Sequence, residues 1–248
     1  PIGIGVGVKG TFSLLSDTDI TTNANIISPR SISLQSTNGN ILVNSLLTSQ
    51  EGNIQLQANL GTLSFGVDAG LVSTTGQLSM IAGKGEVIEA AGGMNFSAET
   101  GLFVSNPLSI NGDATFDVAD FNVQQDITTK NGGNIEIISN KLNFDQASII
   151  TSAGQLTLPV LAASNDLTLI AASNLKLNAV EITGGDLVLN AGSGTLDIQG
   201  SILASNNVTM LAGDVNINNT IAEIDAGGTV RFSDQPDGGM GIGLGGFQ

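Results

Sequence analysis

A short pattern recurs along the chain and constrains the fold more than any other feature of the sequence. Each copy has a Gly or Asn, then one mostly polar residue, then two apolar residues separated by one position. Internal repetition of this kind is the signature of a repeat architecture. The copies lie at residues 39–43, 52–56, 76–80, 112–116, 133–137, 154–158, 165–169, 185–189, 206–210 and 228–232.

Each copy predicts a corner followed by a short strand. Gly and Asn tolerate a left-handed backbone better than other residues, so the first position predicts a corner. The apolar–polar–apolar alternation that follows has the period of a strand with one buried face. One corner and one strand in every repeat predict a coil of a β-solenoid.

The spacing of the copies predicts the size of a coil. Two clear intervals between equivalent positions of the repeat run from Ile135 to Leu156 and from Leu167 to Leu187. Their length of about 20 or 21 residues fits three short strands and three tight corners. Shorter intervals fit two sides of one coil that both carry the pattern, and residues 92–96 fit a degenerate coil inside the longest interval.

The strands of two coils can be assigned residue by residue. The first coil has apolar pairs at 167/169, 175/177 and 180/182, and the second has pairs at 187/189, 196/198 and 202/204. Stacked coils place like residues above like at ~4.8 Å and form ladders of Leu, Ile and Val. Because parallel connections are overwhelmingly right-handed, we predict an all-β, right-handed parallel β-helix, with on the order of 11 or 12 coils.

The composition agrees with this fold class. Hydrophobic residues make up 41% of the chain, aromatic residues 4% and charged residues 12%. A usual soluble domain has about 25% charged residues. We expect a narrow core lined by aliphatic ladders, with little room for large rings. No apolar run approaches the ~18 residues that a membrane-spanning helix needs.

The charge of the chain limits its partners. There are 22 acidic and 7 basic residues, which give a formal net charge of -15. Nucleic acid and anionic membrane surfaces are poor partners for such a molecule, so we expect neither nucleic-acid binding nor membrane insertion. The chain begins at Pro1 without a charged segment followed by an apolar core, and we expect a processed, secreted protein.

Three segments carry a resemblance to a known family. They read GNIQLQANLGTL, SNDLTLIAASNLKLNAVEITGGDLVLNAGSGTLDIQGSILAS and NNVTMLAGDVNINNTIAEIDAGG. From about residue 38 to 234 the chain resembles the repeats of filamentous-haemagglutinin-type bacterial exoproteins. The resemblance implies a right-handed β-helix, secretion, and a role in adhesion, biofilm matrix or surface fibres. It implies no catalytic residue, and that family's amino-terminal secretion signatures are not recognisable here.

Both ends of the chain alternate apolar residues with glycine. A strand of this kind has one apolar face and one bare face, and it suits the completion of an open core. Isolated solenoids cover their open ends with caps, and no amphipathic capping helix is recognisable here. The terminal strands either exchange between copies, fold back over their own coil, or form loose tails. The predicted assembly residues are Ile2, Ile4, Val6, Val8, Met240, Ile242 and Leu244.

Other chemistry finds little support in the sequence. The chain has no His and no Cys, which excludes nucleophilic triads built on them and the usual zinc sites. A carbohydrate-active β-helix needs a carboxylate pair, for which the candidates are Asp113, Asp117 and Asp120, or Asp17 and Asp19. The turn at 234–238 has two carboxylates that could associate loosely with calcium. We predict no catalytic, cofactor or metal site.

These observations predict a structural, non-enzymatic subunit of an extracellular filament that polymerises head to tail. Residues 1–12 and 235–248 are the terminal assembly or capping strands, and residues 13–234 are the solenoid. The predicted partners are copies of the chain itself, with cell-surface or matrix glycans as a second class. The alternatives are a monomeric adhesin stalk or passenger fragment and a carbohydrate-active β-helix enzyme.

Overall fold

The computed structural model describes residues 10–217, 223–233 and 241–244, the last of these by backbone alone. Every element is a β-strand, and the strands stack in parallel as a β-solenoid of about ten turns. The predicted fold class is therefore confirmed. Among these residues there is no helix, and so none able to cross a bilayer. The chain divides into two compact units, Pro1–Phe121 and Asn122–Gln248.

Unit 1 (Pro1–Phe121) has coils with three sides, which we name a, b and c. Its strands are β1 (Phe12–Ser16), β2 (Ile20–Thr22), β3 (Ile26–Ser28), β4 (Ile32–Ser36), β5 (Ile41–Val43), β6 (Leu46–Ser49), β7 (Ile54–Ala58), β8 (Leu63–Phe65), β9 (Gly70–Ser73), β10 (Gln77–Ile81), β11 (Ile88–Ala90), β12 (Met94–Val104), β13 (Leu108–Ile110) and β14 (Ala114–Val123), which contains the division. Side a stacks β1, β4, β7 and β10, side b stacks β2, β5, β8, β11 and β13, and side c stacks β3, β6 and β9. The long β12 pairs with β9 on side c and then with β10 on side a, so it turns a corner as one strand.

Unit 2 (Asn122–Gln248) also has three-sided coils, with sides that we name d, e and f. Its further strands are β15 (Ile127–Thr129), β16 (Ile135–Ile138), β17 (Lys141–Phe144), β18 (Ser148–Ser152), β19 (Leu156–Leu158), β20 (Leu161–Ala163), β21 (Leu167–Ala171), β22 (Leu175–Leu177), β23 (Val180–Ile182), β24 (Leu187–Asn190), β25 (Thr195–Ile198), β26 (Ile202–Ala204), β27 (Val208–Leu211), β28 (Asp214–Ile217), β29 (Ile224–Ala226), β30 (Val230–Ser233) and β31 (Gly241–Leu244). Side d stacks β15, β18, β21, β24, β27 and β30. Side e stacks β16, β19, β22, β25, β28 and β31, and side f stacks β17, β20, β23, β26 and β29.

The core of each unit consists of in-register ladders of apolar side chains. On side d, Leu167, Leu187 and Val208 lie directly above one another, and each is 0% exposed. Full burial of a side chain of this size stabilises the fold by about 1.5–3 kcal/mol. The six predicted apolar pairs of two coils correspond to β21 through β26, and the degenerate coil at 92–96 corresponds to the start of β12, where Met94 and Phe96 are buried.

The polar second position of the repeat has a specific role at the corners. The Asn53 side-chain Oδ1 accepts the backbone N–H of Gln77 at 2.9 Å, one coil further along. In unit 2, Asn174, which directly precedes β22 outside the ten copies, accepts from the Thr195 N–H at 2.9 Å in the same way. A side-chain oxygen therefore continues the hydrogen-bond ladder across the corner, where no strand pairing is available, and satisfies a backbone donor that would otherwise lack a partner.

The predicted reason for glycine at the corners holds at some of them but not at every one. A left-handed backbone does occur at Gly185, with φ 116°. At Gly76, however, φ lies outside the left-handed region, and a Cβ there would lie 2.6 Å from the Asn53 Oδ1 and nearer still to the carbonyl of Gly52. The two stacked corners lie too close together to leave room for a methyl group between them. Close approach, as well as backbone conformation, therefore requires glycine in the repeat.

The expectation that large rings have little room in the core is wrong. Five phenylalanines, Phe65, Phe96, Phe116, Phe121 and Phe144, are buried to 1% exposure or less. In unit 1 the rings of Phe96 and Phe116 stack with centroids 5.0 Å apart and an interplanar angle of 13°. Flat rings stack at nearly the ~4.8 Å spacing of the strands, so the coil repeat itself accommodates them.

The coils vary more in length than the spacing of the repeats predicts. Ile54 and Leu78 in unit 1 are partners in register and so lie one full turn apart. Leu142 and Leu161 in unit 2 are also one turn apart, although fewer residues separate them in the sequence. The difference is taken up in the corners, since the strands stay in register. The described residues make about ten turns, whereas the prediction of about 11 or 12 coils was made for all 248 residues.

Candidate assembly site

The first coil of unit 1 has strand edges without a described partner. Among the described residues, β1, β2 and β3 pair only with β4, β5 and β6, which leaves their other edges at the end of the stack. A cavity of about 490 Å³ lies at this coil, and its lining includes Phe12, Leu14, Ile20 and Ile26. Phe12 and Leu14 are half-buried. Their register partners Ile32 and Leu34 are 0% exposed.

In the last coil of unit 2, apolar side chains at core positions are likewise partly exposed. Val230 and Phe232 on β30 are 39% and 36% exposed. Their register partners Val208 and Met210 are 0% exposed. These side chains occupy core positions of the repeat, yet no described coil covers them. The exposed edges β29 and β30 border them, and such edges are templates for pairing with another chain.

The predicted assembly residues fall partly within the described structure. Ile2, Ile4, Val6, Val8 and Met240 lie outside the described residues. Ile242 and Leu244 belong to β31, whose backbone pairs with that of Val215 and Ile217 in β28. The C-terminal strand thus completes side e of the last coil of its own chain, which agrees with the fold-back alternative for this segment. Exchange of terminal strands between copies stays a prediction.

The apolar residues of β1 and β30 in the two end coils were not among the predicted assembly residues. The repeat copy at 228–232 includes Val230 and Phe232, and no further copy follows it. The sequence therefore identifies them as core positions, and only the structure shows that they are partly exposed. Residues 10–14 form a further copy of the repeat, with Gly10 and Thr11 before the alternating Phe12, Ser13 and Leu14, so Phe12 and Leu14 are recognisable as core positions in the same way.

The candidate carboxylates lie on outer surfaces and corners. Asp17, Asp113, Asp117 and Asp120 are exposed. Asp19 has a corner role, since its Oδ1 accepts the Asn40 backbone N–H at 2.8 Å and the Asn40 Nδ2 at 3.2 Å. Within residues 10–217, 223–233 and 241–244, no group of three or more His, Cys, Asp or Glu side chains is placed to hold a metal ion. The 234–238 turn lies outside this range.

Comparison with known proteins finds no match for the chain. No protein-family model matches the chain, and no curated protein or solved structure matches it. The chain is thus characterised by its architecture, a parallel β-solenoid whose first and last described coils leave core positions partly exposed.

Proposed function

We propose that the chain is the structural subunit of an extracellular filament. In this filament the last coil of one copy (β29, β30 and β31) stacks on the first coil (β1, β2 and β3) of the next. The observation that carries the proposal is the exposure of core positions in both end coils. Val230 is 39% exposed where Val208, one coil earlier, is 0% exposed. A stacked copy supplies the missing coil at both ends.

The geometry of a parallel stack favours this contact. Within each unit, every inner coil presents one edge to the coil before it and the opposite edge to the coil after it. An added copy that continues the stack therefore needs no new kind of pairing. Because the contact joins two different surfaces, it is heterologous and need not close, and such contacts yield open polymers.

The terminal segments fit the same role. Residues 1–8 alternate apolar side chains with glycine, and the apolar members Ile2, Ile4, Val6 and Val8 suit an open apolar core. We propose that this N-terminal segment reinforces the contact by pairing with the end coil of the neighbour. A location outside the cell and a mechanical role are supported by the resemblance to filamentous-haemagglutinin-type repeats, which is a likeness of repeat style.

A complementation experiment tests the proposal. Leu14→Asp places a charge in the first coil, and Val230→Asp places one in the last coil, so each variant has one damaged end and one intact end. Leu15→Asp is the control for the first, because Leu15 is the neighbouring, outward residue at 67% exposure. Val87→Asp is the control for the second, because Val87 is a valine of matched exposure, 40%. Assembly is measured by negative-stain electron microscopy and sedimentation velocity.

The expected result has three parts. Wild type and both controls form filaments, each end variant alone stays monomeric, and an equimolar mixture of the two end variants forms dimers through the intact ends. A misfolded variant could not complement, so dimer formation in the mixture separates loss of the interface from loss of the fold. Filaments of normal length from Val230→Asp, or a wild type that stays monomeric at all concentrations, would refute the proposal. Deletion of residues 1–8 tests the terminal strand separately, and it is expected to shorten the filaments.

A further inference from the structure

The three sides of unit 2 differ in the charge of their outward residues. On side e, Lys176 and Asp197 lie in one outward column, in register with each other. Side f carries Glu181 and Asp225 in its outward column, separated by Leu203. Side d has no charged outward residue on its four inner strands β18, β21, β24 and β27. In a chain with a net charge of -15, a neutral side is the one on which two copies repel each other least.

One outward column on side d has charges only at its two ends. Asp126, the residue directly before β15, lies at its head, and Ile149, Thr168, Val188, Thr209 and Arg231 follow in register. Asp126 and Arg231 are both exposed. The Asp126 Oδ1 accepts the Ile149 backbone N–H at 2.8 Å, which positions the carboxylate at the head of the column. Five strand spacings separate the two charges, about 24 Å.

The column is complementary to itself when reversed. A two-fold axis parallel to the strands, midway between β21 and β24, places Asp126 of one copy opposite Arg231 of the other. The same operation places Ile149 opposite Thr209 and Thr168 opposite Val188. No like charges meet. In the second outward column, Thr151, Ile170, Asn190 and Leu211 are half-buried and uncharged, and the reversal pairs them among themselves.

We propose that side d is a lateral contact with a second, antiparallel copy of this chain. Such a contact is isologous, because each copy contributes the same surface. The β-branched residues of the column form a flat, stiff surface suited to sheet-on-sheet packing at about 10 Å. The charge pairs at the two ends set the direction and the register of the partner.

The area of side d defines when this contact is stable. Six strands at ~4.8 Å and about four residues of ~3.3 Å per strand give roughly 380 Å² per copy. Stable interfaces bury about 1,200–2,000 Å² in total, so an isolated pair of copies associates weakly. Along a filament the contact repeats, and linked contacts reinforce one another. The inference thus rests on the proposed filament for its strength: filaments associate in antiparallel pairs through side d.

The lateral contact is tested with one arginine variant and one threonine variant, each with a matched control. Arg231→Glu places like charges opposite each other at both ends of the contact, whereas Arg30→Glu makes the same change of charge at an exposed arginine in unit 1. Thr168→Lys brings two lysines together near the two-fold axis. Thr157→Lys is its control, since Thr157 is an equally half-buried outward threonine on side e. The double variant Asp126→Arg with Arg231→Asp restores the charge complementarity, and thermal melting reports the cost of the hydrogen bond to the Ile149 N–H that Asp126→Arg removes.

Filament width in electron micrographs and sedimentation equilibrium of the full chain at high concentration are measured for each variant, together with thermal melting. We expect paired filaments from wild type, Arg30→Glu and Thr157→Lys, and single filaments from Thr168→Lys. Because Arg231 lies on β30 of the end coil, Arg231→Glu and the double variant are compared by sedimentation in the Leu14→Asp background, which blocks the head-to-tail contact. There the double variant is expected to dimerise as the background itself does. In sedimentation, Arg231→Glu is expected to weaken dimerisation on the order of tenfold or more.

The outcomes separate this inference from the proposed filament. Wild-type filaments that stay single overturn the lateral contact and leave the head-to-tail contact standing. Pairing that is unaffected by Arg231→Glu and Thr168→Lys also overturns it. Dimers that depend on Arg231, in a wild type that forms no filaments, support the lateral contact and refute the proposed function.

Discussion

Replacement of a corner glycine is expected to destabilise the solenoid far more than its corner position suggests. In unit 1, Gly76 lies at a corner directly above the corner of Gly52. A Cβ on Gly76 would meet the Asn53 Oδ1 at 2.6 Å and the Gly52 carbonyl at a still shorter distance, which is closer than real Cβ atoms approach. The alanine variant Gly76→Ala must therefore displace one corner from the other.

The cost of this displacement can be worked out from the contacts at the corner. Overpacking against atoms that cannot move freely costs about 1–3 kcal/mol. Two hydrogen bonds cross the same corner, from Gln77 N–H to the Asn53 Oδ1 at 2.9 Å and from the Ser73 Oγ to the Gly52 carbonyl at 2.6 Å. Each is worth about 1 kcal/mol, so we expect Gly76→Ala to lower the free energy of unfolding by about 3–5 kcal/mol.

Variants at two other glycines distinguish the energetic cost of close stacking from the cost of backbone conformation. At Gly10 no atom lies within 4 Å of the position that a Cβ would occupy, and φ is outside the left-handed region. Gly10→Ala is thus expected to stabilise the chain by about 0.4–1 kcal/mol, by restricting the unfolded state. Gly85 also has open space but a φ of 81°. Gly85→Ala is expected to cost about 1–2 kcal/mol through backbone conformation alone.

The free energy of unfolding of the three variants is measured by urea unfolding, followed by far-ultraviolet circular dichroism. Hydrogen exchange of the Gln77 amide reports the corner itself, and it is expected to accelerate in Gly76→Ala but not in Gly10→Ala. A Gly76→Ala variant that is no less stable than Gly85→Ala would refute the argument, because stacking would then add nothing to the cost of replacing glycine.

Three further predictions concern the ladders of the two units. Leu169→Ala, at a core position with 0% exposure, is expected to cost about 2–5 kcal/mol in urea unfolding, while Ile149→Ala, at 44% exposure, changes stability by less than about 0.5 kcal/mol; equal effects would contradict the inward and outward assignment. Asn174→Ala is expected to cost about 1 kcal/mol and to speed exchange of the Thr195 amide, whereas Asn174→Asp keeps the acceptor and protects that amide; equal exchange in both variants would contradict the corner ladder. Phe96→Ala is expected to cost about 3–5 kcal/mol, and Phe96→Leu clearly less, in the same unfolding assay; if the two variants were equally stable, the ring stack would contribute nothing.

The strand pattern and fold class could be predicted because they depend on local alternation. The residues of β21 through β26 were assigned correctly from apolar pairs alone, since a strand with one buried face shows a period of two in its own sequence. The exact coil lengths could not be predicted, because corners of different length join strands that stay in register. The long stretch from Ile54 to Leu78 and the shorter one from Leu142 to Leu161 each make one turn.

The candidate site could be predicted only in outline. The sequence pointed to the chain termini, and of the predicted residues Ile242 and Leu244 lie in β31, paired with β28 of the same chain. The exposed core positions Val230 and Phe232 emerged only from the structure, because a repeat residue looks the same in sequence whether or not another coil covers it.

Local sequence is enough to establish that this chain is built from repeated short strands with one apolar face, because the period of two and the recurring corner are properties of neighbouring residues. Which residues of different coils lie above one another is settled only in the folded chain. That stacking explains why Gly76 must lack a side chain, why Phe96 and Phe116 share a core, and why Asp126 and Arg231 end one column. Its physical origin is hydrogen bonding between strands that lie a full coil apart along the chain, a separation over which no local pattern carries information.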